Sequence, residues 1–543
     1  MSSTLLSQIA VGGAALILTG LLSTPAAAQG PDACAGLAGM EIPASAIALP
    51  SKGAVVETAK SEAKDRAGAD VSFCAVVGRI VSVDPKAPAI RFQVNLPAKW
   101  NGKAVQMGGG GYNGRIPDAT GLASHGLKSA PTPLARGYMT LSDDSGHQAP
   151  NANDAAFAEN DEALANFGNM HIRKTHDVAA AIAKRRYGSA PKRCYFTGGS
   201  TGGREGLTAA LRWPDAYDGV ISNYPTANFL GLRMQNAAIA RAIYQDNSAG
   251  WIPPALVDRI AAEGLAECDG LDGVADGIVS NVMACRAGSE KRLQKWTCPN
   301  SAPPCLDPVQ VKTVRLYHEG FSDNWQPRDS VNGFKGYNIL EGVEMNIGEK
   351  RDFSYPLVDG PIAHAAVRAD EFLKHFVARD ANFDLRKFDV QAPGPLLPQL
   401  KVVFEQIGAT SPDYSAFAKK GGKILLMQGT EDALVSPFEN IRRYQAIVDK
   451  MGPAAARQFI RFYVAPGQGH GGGTFQVTWD NLDILDAWVE RGVAPPAVPV
   501  AVDSNPKTAG RSRPLCEYPK WPRYKGSGDV NAAASFTCVA DGR

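Results

Sequence analysis

The chain has 543 residues, of which 44% are hydrophobic and 20% charged. That is the composition of a soluble globular protein, too long for one ordinary domain, so two domains or one elaborated fold are expected. A formal net charge of +2 without a run of Lys or Arg argues against a dedicated nucleic-acid surface.

Taken in order, residues 1–28 read as an export signal. Ala10 to Leu22 is an apolar stretch too short to span a bilayer, and Ala26-Ala27-Ala28 offers a small-residue cleavage pattern. The n-region has no Lys or Arg, so an uncleaved N-terminal anchor is the alternative reading. No later apolar run is long enough for a membrane helix, and a periplasmic or secreted protein, off the membrane once cleaved, is expected. The nine cysteines agree with export. Eight form short-range couples, Cys34 with Cys74, Cys268 with Cys285, Cys298 with Cys305 and Cys516 with Cys538, as disulfides in an oxidising compartment would. Sequence alone does not fix connectivity; this is the local pairing. Cys194 is left over and reads as a small buried hydrophobe.

The stretch 34–100 is β-rich, and Ala89 to Leu96 alternates as a half-buried strand does. Lys103 to Met107 is a short strand running into Gly108-Gly-Gly-Gly-Tyr-Asn-Gly114. This loop lacks the pattern of a phosphate cradle. It sits where a hydrolase supplies a backbone N–H to an oxyanion hole, with Gly110 and Gly111 as candidates. Gly137 to Ser142 is a further strand, ending in Asp143-Asp-Ser-Gly-His147, read as a hydrogen-bonded loop that shapes the site. His171 to Tyr187 has helical spacing, with Val178, Ala181, Ile182 and Ala183 on its apolar face.

Cys194 to Phe196 is an apolar strand, and Gly198-x-Ser200-x-Gly202 follows it, with a helical pattern after that. This is the nucleophile-elbow arrangement: a strand stops, turns sharply and starts a helix with a serine oxygen exposed at the bend. Thr201, next after the serine, would supply the second oxyanion N–H. Asp218 to Ser222 is the next strand. Strands alternating with helices predict a mainly parallel sheet covered on both faces.

From residue 228 to 415 that alternation stops. Short helices, loops, prolines, four cysteines and scattered aromatics read as an inserted cap, or lid, over a hydrolase site. The expected organisation is thus an α/β-hydrolase core in two parts, 29–227 and 416–543, split by a lid at 228–415, with a disulfide-stapled C-terminal tail. The sheet resumes at Lys423 to Met427, which stops at Gln428-Gly-Thr-Glu-Asp-Ala-Leu-Val435. Phe459 to Val464 stops at Pro466-Gly-Gln-Gly-His470, and a helix from about Asn481 to Arg491 follows.

A serine hydroxyl needs an adjacent base that is itself held by a third group. In α/β-hydrolases the order is Ser, acid, His, each on a loop after a strand. Of eight histidines only His470 lies beyond His375. The acid before it is Asp432, with Glu431 as the neighbouring rival. A second constellation spans Cys268 to Asn281: Asp269, Asp272 and Asp276 offer hard oxygens, and the glycines let the carbonyls of Val274 and Ile278 turn inward. Oxygen-only ligation of this kind suits a structural Ca2+, though it is not an EF-hand and a solvated acidic turn is the plain alternative. Val435, small and three residues past Asp432, is assigned to the substrate pocket.

These motifs resemble the tannase and feruloyl esterase family. The resemblance rests on the glycine loop 108–114, Asp-Ser-Gly-His at 144–147, Gly-Ser-Thr-Gly-Gly-Arg at 199–204, the aspartate loop, Gly-Thr-Glu-Asp ending at Asp432, Pro-Gly-Gln-Gly-His ending at His470, and the Cys-containing tail. It implies an exported, calcium-stabilised serine esterase with a lid, acting on small-molecule esters of aromatic acids such as gallate or ferulate. A serine peptidase with the same triad and a catalytically inactive calcium-dependent binding protein are the alternatives. The family typically carries cysteines before the nucleophile and after the histidine; here they are Gly199 and Gly471, and the two loops are then expected to be held by packing alone. Oligomeric state is not legible.

Overall fold

The computed structural model describes residues 31–301, 303–323, 325 and 333–540. The export-signal expectation therefore lies outside the described residues. The centre of the molecule is a ten-stranded sheet. Its strands are β1 (Glu41–Ile42), β2 (Ala54–Lys64), β3 (Asp70–Ile80), β4 (Ile90–Pro97), β5 (Lys103–Met107), β6 (Met139–Asp143), β7 (Arg193–Gly199), β8 (Gly219–Asn223), β9 (Lys423–Gly429) and β10 (Ile460–Ala465). The order is β1-β2-β3-β4-β6-β5-β7-β8-β9-β10.

Two regimes meet in this sheet. From β1 to β4, and across β4–β6, the pairing is antiparallel. From β6 through β10 it is parallel. The difference is written in the side chains. The long β2 is mostly exposed on its outer half, whereas β6 and β8 are buried at every residue, as strands covered on both faces must be. One cover includes α1 (His171–Tyr187), α2 (Thr201–Arg212) and α6 (Pro437–Met451). The opposite cover includes α7 (Asn481–Arg491), with Trp479, Leu485 and Trp488, and the C-terminal residues Ala501 and Leu515.

Between β8 and β9 the chain leaves the sheet. This segment begins with α3 (Phe229–Ser248), departing from helical geometry at Gln245–Asn247, and α4 (Pro254–Cys268), and it also contains α5 (His364–Glu371). It builds its own apolar cluster, with Phe229, Ile243, Trp296, Tyr317 and Phe372 among the buried members. That cluster also takes in Tyr112 from the glycine loop and Val435. The insertion is thereby packed against both loops that flank the serine.

All four disulfides follow the local pairing: Cys34–Cys74, Cys268–Cys285, Cys298–Cys305 and Cys516–Cys538. Cys194 is free and buried, and burial pushes its thiol far up. Among the described residues no helix is long and apolar enough to cross a membrane.

Candidate active site

The parallel register aligns the C-terminal ends of the central strands. Gly199 pairs with Asn223, and Met427 with Asn223 from the other side. The loops after β7, β8, β9 and β10 therefore open at one edge, where α/β sheets place their ligands. Ser200 follows β7 directly, at φ 57 and ψ −120. A serine rarely adopts that conformation, and its neighbours hold it there. Its N–H donates to Asn223 O at 3.0 Å, and its carbonyl accepts from Thr226 N and Arg204 N. The flanking glycines are required by contact: a Cβ on Gly198 would lie 2.5 Å from the backbone of Gly202, and one on Gly202 2.8 Å from Gly109 O.

His470 and Asp432 converge on this serine. His470 Nε2 lies 2.9 Å from Ser200 Oγ, and Nδ1 lies 2.9 Å from Asp432 Oδ2. An ionised carboxylate only accepts, so Nδ1 carries the proton and the Nε2 lone pair faces the serine hydroxyl. Asp432 is 1% exposed, and its Oδ1 accepts the N–H groups of Leu434 and Val435 at 2.9 and 2.8 Å. The rival Glu431 turns away: its carboxylate accepts Thr474 N at 2.8 Å, and burial pushes its pKa up to about 7.

The glycine loop lies against the first turn of α2. Gly202 N donates to Gly109 O at 2.8 Å, and Thr201 Oγ1 donates to Gly111 O at 2.6 Å. The N–H groups of Gly108 and Gly109 are consumed, by Thr197 O and by Glu205 Oε2. Those of Gly110, Gly111 and Thr201 have no acceptor among the described residues. A Cβ on Gly110 would meet nothing within 4 Å, so this residue borders open space.

Glu205 was not singled out by its sequence. It is fully buried on α2, one turn past Thr201, and its other oxygen accepts from Asn113 Nδ2 at 2.6 Å. Beside it His171 Nδ1 bonds Asp143 Oδ1 at 2.6 Å. Burial disfavours both charges, but their pairing prevails: Asp143 is held below the ordinary carboxylate value and His171 above the ordinary imidazole value. The loop 143–147 is buried and hydrogen-bonded, as expected from its sequence. A sequence signal for Glu205 did exist: an acid beside Arg204 in a helix start otherwise made of threonine and glycines.

Tyr224 and His125 were likewise missed. A Cβ at Gly199 would lie 2.8 Å from the Tyr224 ring, while one at Gly471 would meet nothing within 4 Å. The space beside the nucleophile's strand is thus filled by a tyrosine. Its hydroxyl bonds His125 Nε2 at 2.9 Å. That bond joins two residues outside the loops of Ser200 and His470; toward His470 the tyrosine makes a packing contact, 4.8 Å between ring centroids.

A cavity of about 540 Å3 opens beside His470, walled by the insertion through Glu344, Met345, Ile347 and Glu349, and by Glu431, Ala433 and Leu434. Its charged lining residues are all acids. Val435, assigned to the pocket from sequence, is buried in the apolar cluster instead, with Ala433 and Leu434 taking the cavity wall.

In the aspartate loop, Asp269 Oδ1 accepts the N–H groups of Asp276, Gly277 and Ile278, Asp272 Oδ1 accepts Val274 N, and Asp276 faces Arg513. Among the described residues no three His, Cys, Asp or Glu side chains are gathered for a metal. Yet Asp272 Oδ2 is buried without a partner, and the carbonyls of Val274 and Ile278 accept no hydrogen bond within the described residues. Hard oxygens left unsatisfied on a disulfide-closed loop fit a divalent cation such as Ca2+.

Residues 74–539 match the family model described as tannase and feruloyl esterase. An uncharacterized esterase of Agrobacterium fabrum is 51% identical, over 94% of this chain and 93% of its own length. The mono(2-hydroxyethyl) terephthalate hydrolase of Piscinibacter sakaiensis is 31% identical, over 90% and 89%. Among solved structures, feruloyl esterase B from Aspergillus oryzae superposes with a TM-score of 0.76 at 22% identity, covering 94% of this chain and all of that one. The tannin acyl hydrolase of Aspergillus niger gives 0.64 at 19%, covering 90% of each. The structural likenesses establish the α/β-hydrolase fold.

Proposed function

The chain belongs to the tannase and feruloyl esterase family and is a carboxylic ester hydrolase, and from that premise we propose that it is an exported serine esterase acting on esters of aromatic, phenolic acids through Ser200, His470 and Asp432. The observation that carries the reading is the pair of 2.9 Å contacts joining serine to histidine and histidine to aspartate.

In this mechanism His470 Nε2 takes the Ser200 proton as Oγ attacks the ester carbonyl. The imidazolium so formed is stabilised by Asp432, which is held by two backbone N–H groups and cannot turn away. The carbonyl oxygen, now negative, is received by the N–H groups of Thr201 and of Gly110 or Gly111, which are otherwise unpaired and preorganised; one such donor contributes ~3–4 kcal/mol. His470 then delivers its proton to the leaving alcohol. Water, activated by the same imidazole, attacks the acyl-enzyme and releases the acid.

The leaving alcohol sits on the His470 side, where the cavity is. Its acidic, cation-free lining supports neutral esters over those bearing a free carboxylate, so the insertion is assigned the role of a lid that selects substrate. The aspartate loop is assigned a structural Ca2+, held by Asp269, Asp272 and Asp276 and the carbonyls of Val274 and Ile278; bound there, it would neutralise the loop's carboxylates and brace the insertion. Export is supported by four disulfides, which fit an extracellular or periplasmic protein.

The test is hydrolysis of methyl gallate and methyl ferulate by wild type and Ser200→Ala. Loss of turnover by roughly 10⁶ is expected. Near wild-type turnover in the variant would remove Ser200 from the mechanism.

A further inference from the structure

Four observations converge beside His470. The Tyr224 ring lies 4.8 Å from the His470 imidazole, centroid to centroid, and covers Gly199 on the nucleophile's strand. The Tyr224 hydroxyl meets His125 Nε2 at 2.9 Å, and His125 Nδ1 meets Val477 O at 2.6 Å. A carbonyl only accepts, so Nδ1 carries the proton there. Burial, working against the Val477 bond, holds the His125 pKa below the ordinary imidazole value, so Nε2 is free to accept from the tyrosine.

The backbone around these residues ties the same parts together. Tyr224 N donates to Met427 O at 2.7 Å, on the strand leading to Asp432. Ser124 N donates to Thr197 Oγ1, and Asn223 Nδ2 to Ser124 Oγ, joining the 124–125 strap to the ends of β7 and β8. Trp479 N donates to His125 O at 3.0 Å, joining it to the segment after the histidine loop. Both Tyr224 and His125 have positive φ, 34 and 57, a conformation that side chains avoid unless their surroundings impose it.

We propose that Tyr224 and His125 form one hydrogen-bonded brace that positions His470 over Ser200. The brace runs from Val477 O through the His125 imidazole to the Tyr224 phenol. It presses the phenol ring between the nucleophile's strand and the catalytic imidazole, which would otherwise be fixed only through Asp432 and its glycine-rich loop. The imidazolium formed during reaction also gains from the adjacent ring, whose face attracts a cation. Neither residue touches the reacting atoms; both act through His470.

The inference rests on the serine-hydrolase reading, and the experiment separates the two. Tyr224→Phe keeps the ring and removes the hydroxyl; His125→Ala removes the acceptor. For wild type, each variant and the double variant, kcat and KM on methyl ferulate, the rate of Ser200 labelling by a fluorophosphonate, and Tm are measured. Each single variant is expected to lose about tenfold in kcat and in labelling rate, with KM and Tm as in wild type, and the double variant to lose no more than either. Wild-type kcat and labelling in Tyr224→Phe, a loss that follows Tm or KM, or additive losses in the double variant would overturn the brace. A wild type that neither labels nor hydrolyses any ester overturns the hydrolase reading itself. Should His125→Ala fail to fold, Tyr224→Phe decides alone.

Discussion

Glu205 Oε2 accepts the Gly109 N–H at 3.1 Å, from a side chain buried within the same helix that begins at the nucleophile. One carboxylate thus fixes the spacing between the serine's helix and the loop whose next N–H groups have no acceptor among the described residues. Its other oxygen holds Asn113, so both arms of the glycine loop are tied to α2. Replacement by Ala leaves those donors unpaired and lets the loop turn. We expect Glu205→Ala to lower kcat by roughly 10²-fold, the size of a lost oxyanion donor, with a smaller change in KM. Stopped-flow acylation separates this from a binding defect, and an unchanged acylation rate would refute it.

Asp432→Asn should leave the geometry nearly intact while favouring the wrong His470 tautomer, and kcat should fall by about 10⁴. Glu431→Gln, on the neighbouring residue, should retain most of the activity. Equal losses in the two variants would return the choice of acid to open.

Glu431 also makes a statement about pH. Its folded pKa is raised to about 7 by burial, above the ordinary 4.5 of the unfolded chain. The fold therefore favours the protonated carboxyl, and that contribution is fully present below pH 4.5 and lost as pH rises to 7. Glu431→Gln removes the titration. Its Tm relative to wild type should climb between pH 4.5 and 7 and then level off; a difference that stays flat over that window contradicts the assignment.

Charge selectivity can be read at the cavity mouth. Glu344 and Glu349 are exposed, so their effect is screened and modest. Glu344→Lys/Glu349→Lys should raise kcat/KM for a monoester bearing a free carboxylate by about 3–10-fold relative to its neutral methyl ester. No change in that ratio would place the substrate elsewhere.

Chelation should separate the proposed metal from the chemistry. Treatment with EGTA is expected to lower Tm by several degrees, reversibly on adding Ca2+, while activity well below the unfolding range persists. Asp272→Ala should have the lower Tm and no response to either reagent. A wild-type Tm indifferent to both would leave the loop an acidic turn closed by its disulfide.

Much of this protein is written locally. Central strands carry short apolar stretches such as Cys194 to Phe196 and Ile424 to Met427, the elbow needs glycines on either side of Ser200, and an acid and a histidine each follow a strand end. These are properties of short stretches, and the parallel strand order carries them to one edge. The four disulfides were legible for the same reason, since each joins cysteines close along the chain. What the chain order does not contain is the content of the space between loops. That Glu205 lies under the glycine loop follows from how α2 leans on β7 and β8, and no neighbour in sequence places it there. That Val435 serves the apolar cluster and Ala433 the cavity depends on which way one turn faces. The exchange at Gly199 looked like a missing tie, yet Tyr224 and His125, one of them 99 residues away from the other, fill that place. Local pattern chose the chemistry because it is set by residue type and spacing; tertiary structure chose its supports because contact at a distance is set by packing.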